Sequence, residues 1–338
     1  MAAYRTILLR IVAVSVCIII TANHLSAENR KNPADLPNVI VITLSGVRNS
    51  ETISDPTHQY IPDMWNNVLP AGTLYDNLED LNVTFHMPAF QATNTGEIYG
   101  TLFGNYSSTI FYDIGRKYDI PPEKIWSIGQ WFGANAYCSK DGNKLYPSML
   151  SAFFKKSDFL DEILSKRELK FFKDFKALQD KIGATWPLWD SSNIIIWEIS
   201  KKIFRKYKPQ IVHYVMNNTE SAHFGSYPRY VNSIKAQDDA ICEIFNMINE
   251  DPYYKGKTYL IVNIDHSRDD YYMQHYYTKE TVWMYIYGPG IKRGEIINRK
   301  VHHIDVYATL RYIFGMEKDD KPGSILKDCF IEAPAETR

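Results

Sequence analysis

The sequence predicts an α/β domain with parallel strands and a helical cap inserted in its middle. Three observations carry this expectation. A β-branched run at 38–44 follows Pro37 and stops at Ser45-Gly46, the pattern of a strand buried on both faces. Further apolar runs at 124–129, 210–216, 258–264 and 281–287 are separated by segments of helical period. Polar residues cluster just after several of these runs, where open α/β sheets place their sites.

Taken in order, residues 48–60 are polar and read as a loop or lid. The stretch 61–69 has the spacing of a short helix, and 74–81 that of a short extended segment. The small, polar run 88–96 opens a helix behind a loop. Residues 108–118 are periodic and stop before Pro121-Pro122; the strand at 124–129 follows. The stretch 139–200 is different. Lys, Asp, Phe and Leu alternate with helical spacing from 157 to 178, and Trp186, Trp189 and Trp197 lie nearby. It reads as a helical cap between two halves of the core, 28–138 and 201–338. Residues 230–249 form a long amphipathic helix with Ile234, Ile241, Ile244 and Ile248 on one side. The strand at 281–287 ends at Gly288-Pro289-Gly290. A last helix, 303–314, starts with Asp305 as a cap and ends at Gly315.

With 38 basic against 39 acidic side chains, the 338-residue chain lacks the charge of a simple electrostatic nucleic-acid binder, so nucleic acid is not an expected partner. Residues 1–27 carry Arg5 and Arg10, then an apolar run at 11–22, then small residues Ser26 and Ala27. That is the layout of a signal peptide, and the run is short of the roughly 20 residues of a spanning helix. The expected location is secreted or periplasmic, with no stable membrane insertion once the signal is removed. Removal would leave 36 basic against 39 acidic residues, and Cys138, Cys242 and Cys329, too few to staple a large domain. Sequons begin at Asn82, Asn105 and Asn217. There is no Cys-x-x-Cys, no Gly-x-Gly-x-x-Gly, no Walker loop and no Gly-x-Ser-x-Gly elbow.

The candidate site lies at the strand ends. Asp265-His266 follows one apolar run; Glu220 and His223, three apart, follow another; His275 comes nine residues after His266. Carboxylate and imidazole donors in this mixture suit a divalent metal, zinc first, with manganese or iron as alternatives.

The order of these pieces resembles the alkaline phosphatase superfamily, in particular its sulfatase, phosphodiesterase and phosphopentomutase-like branches. The matching segments are NVIVITLSGVR at 38–48, MPAFQATNTG at 87–96, NNTESAHFGSYPRYVNSIKAQDDAI at 217–241, YLIVNIDHSRDD at 259–270, His275 with YIYGPGIKRG at 285–294, and HHIDVYATLRYIFG at 302–315. The resemblance implies a mixed, mostly parallel sheet flanked by helices. It also implies two metal ions that hold a phosphate or sulfate ester for attack by Thr, Ser or formylglycine. Residue by residue, Asp265 and His266 match the pair serving one metal, and His223 and His275 match two ligands of the other. Glu220 stands where the family has Asp.

Two positions depart from the pattern. The first strand ends in Ser45-Gly46 where the family has a ligating Asp before the Gly. Two residues before Pro88, where the nucleophile is expected, stands His86; Thr84 is two further back. The sulfatase signature Cys/Ser-x-Pro-x-Arg is absent, since 86–90 reads HMPAF. Four readings follow. His86 joins Asp265 and His266 as a ligand and a metal-activated water attacks; His86 is itself the nucleophile; Thr84 attacks from a shifted register; or the chain has lost catalysis and binds or scaffolds. The expected function is an exported metal-dependent hydrolase of phosphate-type esters, ahead of sulfate esters, using one or two ions. Its partner would be a small anionic ester, with Arg48 and Asn94 as candidate anion contacts and Ser45 as a weak ligand. The sequence carries no signal for oligomeric state.

Overall fold

The computed structural model describes residues 32–81, 84–98, 108–129, 148–150, 160–182, 189–224, 226–269 and 281–332. The signal-like segment 1–27, the sequons at Asn82 and Asn105, Cys138, Trp186, Asp270 and His275 lie outside them. Residues up to Leu36 form a unit of their own, described here only by the 3-10 turn Pro33–Asp35. All that follows concerns the unit that starts at Pro37.

Its described strands are β1 (Asn38–Leu44), β2 (Thr73–Glu79), β3 (Ile125–Gly129), β4 (Ser148–Leu150), β5 (Ile211–Met216), β6 (Thr258–Ile264), β7 (Val282–Tyr287), β8 (Glu295–Ile297) and β9 (Val301–His302). They form one sheet in the order β4-β3-β5-β1-β6-β7-β2-β8, with β9 also paired to β2. Every residue of β1 is buried, as its unbroken β-branched run requires. It lies parallel between β5 and β6, with Val39 opposite both Ile211 and Tyr259. The sheet departs from a purely parallel one at β7, which runs antiparallel to β6 and β2. β7 enters at the end of the sheet where β6 leaves, so the chain reverses there instead of crossing back.

The described helices are α1 (His86–Thr95), α2 (Ile110–Lys117), α3 (Leu160–Ile163), α4 (Lys166–Ile182), α5 (Trp189–Tyr207), α6 (Tyr227–Glu250) and α7 (His303–Ile313). Adjacent residues of β5 show that they lie on both faces. The His213 ring stacks on Phe111 of α2, and the next side chain, Tyr214, stacks on Trp197 of α5. Successive side chains of a strand point to opposite faces, so α2 and α5 flank the sheet from opposite sides. α1, α2 and α7 pack against one another. α6 lies beside α5, where Lys201 meets Glu243 at 3.3 Å.

The 139–200 stretch contains more than helices. Ser148–Leu150 forms β4 and joins the sheet beside β3, and α5 runs through position 200 to lead into β5. Ile196, Ile199 and Ile203 on α5 are buried. Asp305 caps α7 from its third position, accepting the backbone N–H of His302 at 2.9 Å. Asn217, the first residue of a sequon, is buried and so closed to glycosylation in the folded chain. No helix among the described residues is long and apolar enough to cross a membrane.

Three polar side chains interrupt the apolar core at neighbouring positions of β5, β1 and β6. Thr43 donates its hydroxyl to Asn263 Oδ1 at 2.8 Å, and His213 Nε2 lies 3.2 Å from the same hydroxyl. Asn263 Nδ2 in turn donates to Thr93 on α1 at 3.1 Å. This buried chain fixes α1 on the sheet, and with it the register of His86 at the helix start. Asn263→Ala leaves two buried hydroxyls short of a partner and opens a small void. It is expected to cost about 2–4 kcal/mol, read as a lower urea midpoint.

Candidate metal centre

The ends of β5, β1 and β6 stop side by side. Ser45 N–H donates to the Met216 carbonyl at 3.1 Å, and Asp265 N–H to the Leu44 carbonyl at 3.0 Å. The residues just past the strands therefore meet: Ser45 and Gly46 after β1, the 3-10 segment Asn218–Phe224 after β5, and Asp265 to Arg268 after β6. Gly46 takes φ +58, a left-handed turn that glycine adopts without steric cost. Opposite them α1 begins at His86, with its N-terminal, electropositive end toward the strand ends.

Asp265 is the hub. Its Oδ1 accepts the backbone N–H groups of Gly46 at 2.7 Å and of His266 at 2.8 Å. Its Oδ2 lies 2.7 Å from His86 Nδ1 and 3.3 Å from Ser45 Oγ. His266 Nδ1 sits 2.7 Å from the Ser267 carbonyl, which only accepts, so that nitrogen carries the proton. His266 Nε2 is then a bare lone pair, 2.9 Å from His86 Nδ1 and 3.5 Å from Asp265 Oδ2. A carbonyl behind a ligating imidazole is the usual outer support of a metal site.

His86, Asp265 and His266 are all buried, and each offers one donor atom within 4.8 Å of the others. Ligands on a tetrahedral zinc at about 2.0–2.1 Å stand about 3.3 Å apart. The triangle of donors has edges of 2.7, 2.9 and 3.5 Å, so the three atoms need move only slightly to hold an ion. The donor set fits a metal. A second acidic group, Asp63, Asp238 and Asp239, has a structural explanation. Asp238 already accepts the N–H groups of Asp63 and Met64, and so ties the segment Met64–Val68 to α6.

The other expected residues divide. Ser45 joins the cluster, its Oγ 3.0 Å from His86 Nδ1 and 3.0 Å from Glu220 Oε1. Glu220 Oε2 lies 2.9 Å from His86 Nε2 and 3.2 Å from His223 Nε2. Arg48 is engaged elsewhere: it pairs with Glu51 and donates to the Asp269 carbonyl at 2.9 Å. Asn94 is buried on α1, but eight residues past His86 and so about 12 Å along the axis from the cluster. Thr84 is half-buried in the bend before α1, and no described hydrogen bond links it to the cluster. His303, behind the site, lies 2.8 Å from the carbonyl of Ile264, at the end of β6.

Sequence reasoning missed Arg268. It is completely buried, donates to the Gly46 carbonyl at 2.7 Å, pairs with Glu220, and approaches His223 Nε2 at 3.2 Å. The available signal was its place three residues after Asp265, inside a run that otherwise reads as a solvated loop.

The fold and the centre together define an α/β protein with an alkaline-phosphatase-like fold and a candidate metal site at its strand ends. The Metalloenzyme superfamily model matches residues 167–318, which include Glu220, His223, Asp265 and His266. Among solved structures, the chain is similar to a protein in the alkaline phosphatase superfamily from Vibrio parahaemolyticus, at 12% identity and TM-score 0.55, over 83% of this chain and 67% of that one. It is similar to a 2-O GAG sulfatase at 11% identity and TM-score 0.59, over 88% and 74%. It is also similar to a phosphonate monoester hydrolase from Silicibacter pomeroyi at 10% identity and TM-score 0.58, over 89% and 78%. None of the curated proteins compared with the chain matches it.

Without metal, three histidines shape the response to pH. Burial pushes His86 down, but the Glu220 and Asp265 carboxylates outweigh it and raise it to about 9. Burial pushes His266 down to about 4 and His213 down to about 3. His86 holds its proton more tightly when folded, so its contribution is complete below the ordinary 6.5 and is lost as pH rises through about 9. His266 and His213 hold theirs more weakly when folded, so their cost sets in as pH falls from 6.5 toward 4 and 3. The urea midpoint of chelator-treated protein is expected to peak at about pH 6.5. A midpoint still climbing at pH 9 would contradict a protonated His86 between two carboxylates.

Proposed function

We propose that the chain is an exported, metal-dependent hydrolase of phosphate-type esters. The observation that carries this reading is the convergence of His86, Asp265 and His266 donors at the strand ends of an alkaline-phosphatase-like sheet. Zinc is the ion the nitrogen-rich set suits best. When bound, the ion supplies Lewis-acid polarisation of an ester oxygen and acidifies water. The chain's own part is to hold the donors and the anion. Ser267 fixes the tautomer of His266, and the N–H groups of Gly46 and His266 fix Asp265. The start of α1 places a positive helix end beside the ester.

The geometry favours His86 as a ligand over His86 as a nucleophile. Both ring nitrogens face carboxylates, Nδ1 toward Asp265 and Nε2 toward Glu220. An anionic ester approaching either nitrogen would meet that negative charge first. Phosphate-type esters rank ahead of sulfate esters because 86–90 lacks the Cys/Ser-x-Pro-x-Arg signature.

The test is a nitrophenyl ester series (phosphate monoester, diester, phosphonate and sulfate) assayed on zinc-loaded protein. At least one phosphorus ester should turn over, and His266→Ala should lose both the ion and about 100-fold or more of the rate. Stoichiometric metal with no turnover of any ester would instead favour the binding-protein reading, which Ser45 in place of a ligating carboxylate supports.

A further inference from the structure

We propose that Arg268 is a resident cation standing in place of a second metal ion, so that the centre holds one ion per chain. This rests on the reading of His86, Asp265 and His266 as the metal group. The resemblance matches His223 and His275 to a second ion, with Glu220 where the family has Asp; His275 lies outside the described residues. In the structure the site-facing atoms of Glu220 and His223 already meet a cation. Glu220 Oε1 pairs with Arg268 Nη2, and His223 Nε2 lies 3.2 Å from Arg268 Nη1. The third arm of the fork, Nε, donates to the Gly46 carbonyl at 2.7 Å. A guanidinium offers donors in a fixed planar fork and stays charged, so it can pair with a carboxylate, donate to a carbonyl and stand beside an imidazole at once.

The room for this side chain is built into the strand end. A Cβ on Gly46 would lie 2.4–2.7 Å from the Arg268 guanidinium, so the guanidinium could not keep this position beside one. Gly46 therefore serves twice, for its left-handed turn and for the bare Cα against which the guanidinium lies flat. A fully buried arginine placed this way is no solvated charge.

Charge leads to the same count. The cluster has two carboxylates, Glu220 and Asp265, because Ser45 replaces the third that the family pattern supplies. Arg268 cancels Glu220. One divalent ion beside Asp265 then leaves a net charge of about +1 to meet an anionic ester, whereas two ions would leave about +3 in a buried pocket before substrate arrives.

The experiment counts zinc. Full-length protein is loaded with excess zinc, desalted and measured by elemental analysis, with calorimetric titration as a second count. Wild type is expected to hold one ion per chain. Asp265→Asn is expected to hold none, and His223→Ala still one, because His223 faces the guanidinium and not the ion. Arg268→Ala is expected to gain a second, weaker site, while Arg268→Lys keeps one. Two ions in wild type, loss of the ion in His223→Ala, or a single ion in folded Arg268→Ala would overturn the proposal while leaving the metal reading intact. No ion in wild type would overturn both. If Arg268→Ala does not fold, the wild-type and His223→Ala counts still decide.

Discussion

The Asp265 carboxylate is the interaction on which the rest of the site depends. One oxygen takes the N–H groups of Gly46 and His266, and so ties the end of β1 to the end of β6. The other faces His86 at the start of α1. Three elements that are distant in sequence are thus held by one side chain. Burial opposes ionisation of Asp265, but the charges of His266 and His86, the hydrogen bond with His86 and the Gly46 amide outweigh it and hold the carboxyl at about 2. A buried carboxylate held this way is a fixed negative charge around which cations must gather.

The charge balance follows from that constraint. Glu220 is also held well below the usual carboxylate range: burial opposes this, but Arg268 and His86 outweigh it. Without metal, two buried carboxylates face Arg268 and a protonated His86, and the centre is neutral. On the proposed reading, metal binding at His86 would require the loss of that proton, so the ion would replace one cation and add charge. His86 would then hold the place of the ion until it binds.

Much of this was legible in the sequence. The β-branched runs gave β1 and β6 to the residue, and the position of Asp265-His266 after one of them marked the site. Counting back from Pro88 found His86. Arg268 was hidden because its burial is decided at Gly46, 222 positions away, where a missing Cβ makes the space. The polar chain of His213, Thr43, Asn263 and Thr93 was hidden for a related reason. Each residue reads as an isolated interruption of an apolar pattern, and only the pairing of the strands and the packing of α1 bring them into contact. Arg48 looked available to an anion because it closely follows Ser45-Gly46; folding pairs it instead with Glu51, three residues on.

The two departures from the family pattern are better understood together than singly. A carboxylate at position 45 would add a third buried negative charge within about 3 Å of Glu220 and Asp265, and such a triad is stable only with more positive charge beside it. Serine removes that demand while keeping hydrogen-bonding contact with His86 and Glu220. Histidine at position 86, in turn, brings a donor that can be a cation without metal and a neutral ligand with it. Less negative charge on one side and a switchable positive charge on the other offset each other. Either change alone would leave a buried charge unbalanced; the pair gives a coherent site built on fewer fixed charges.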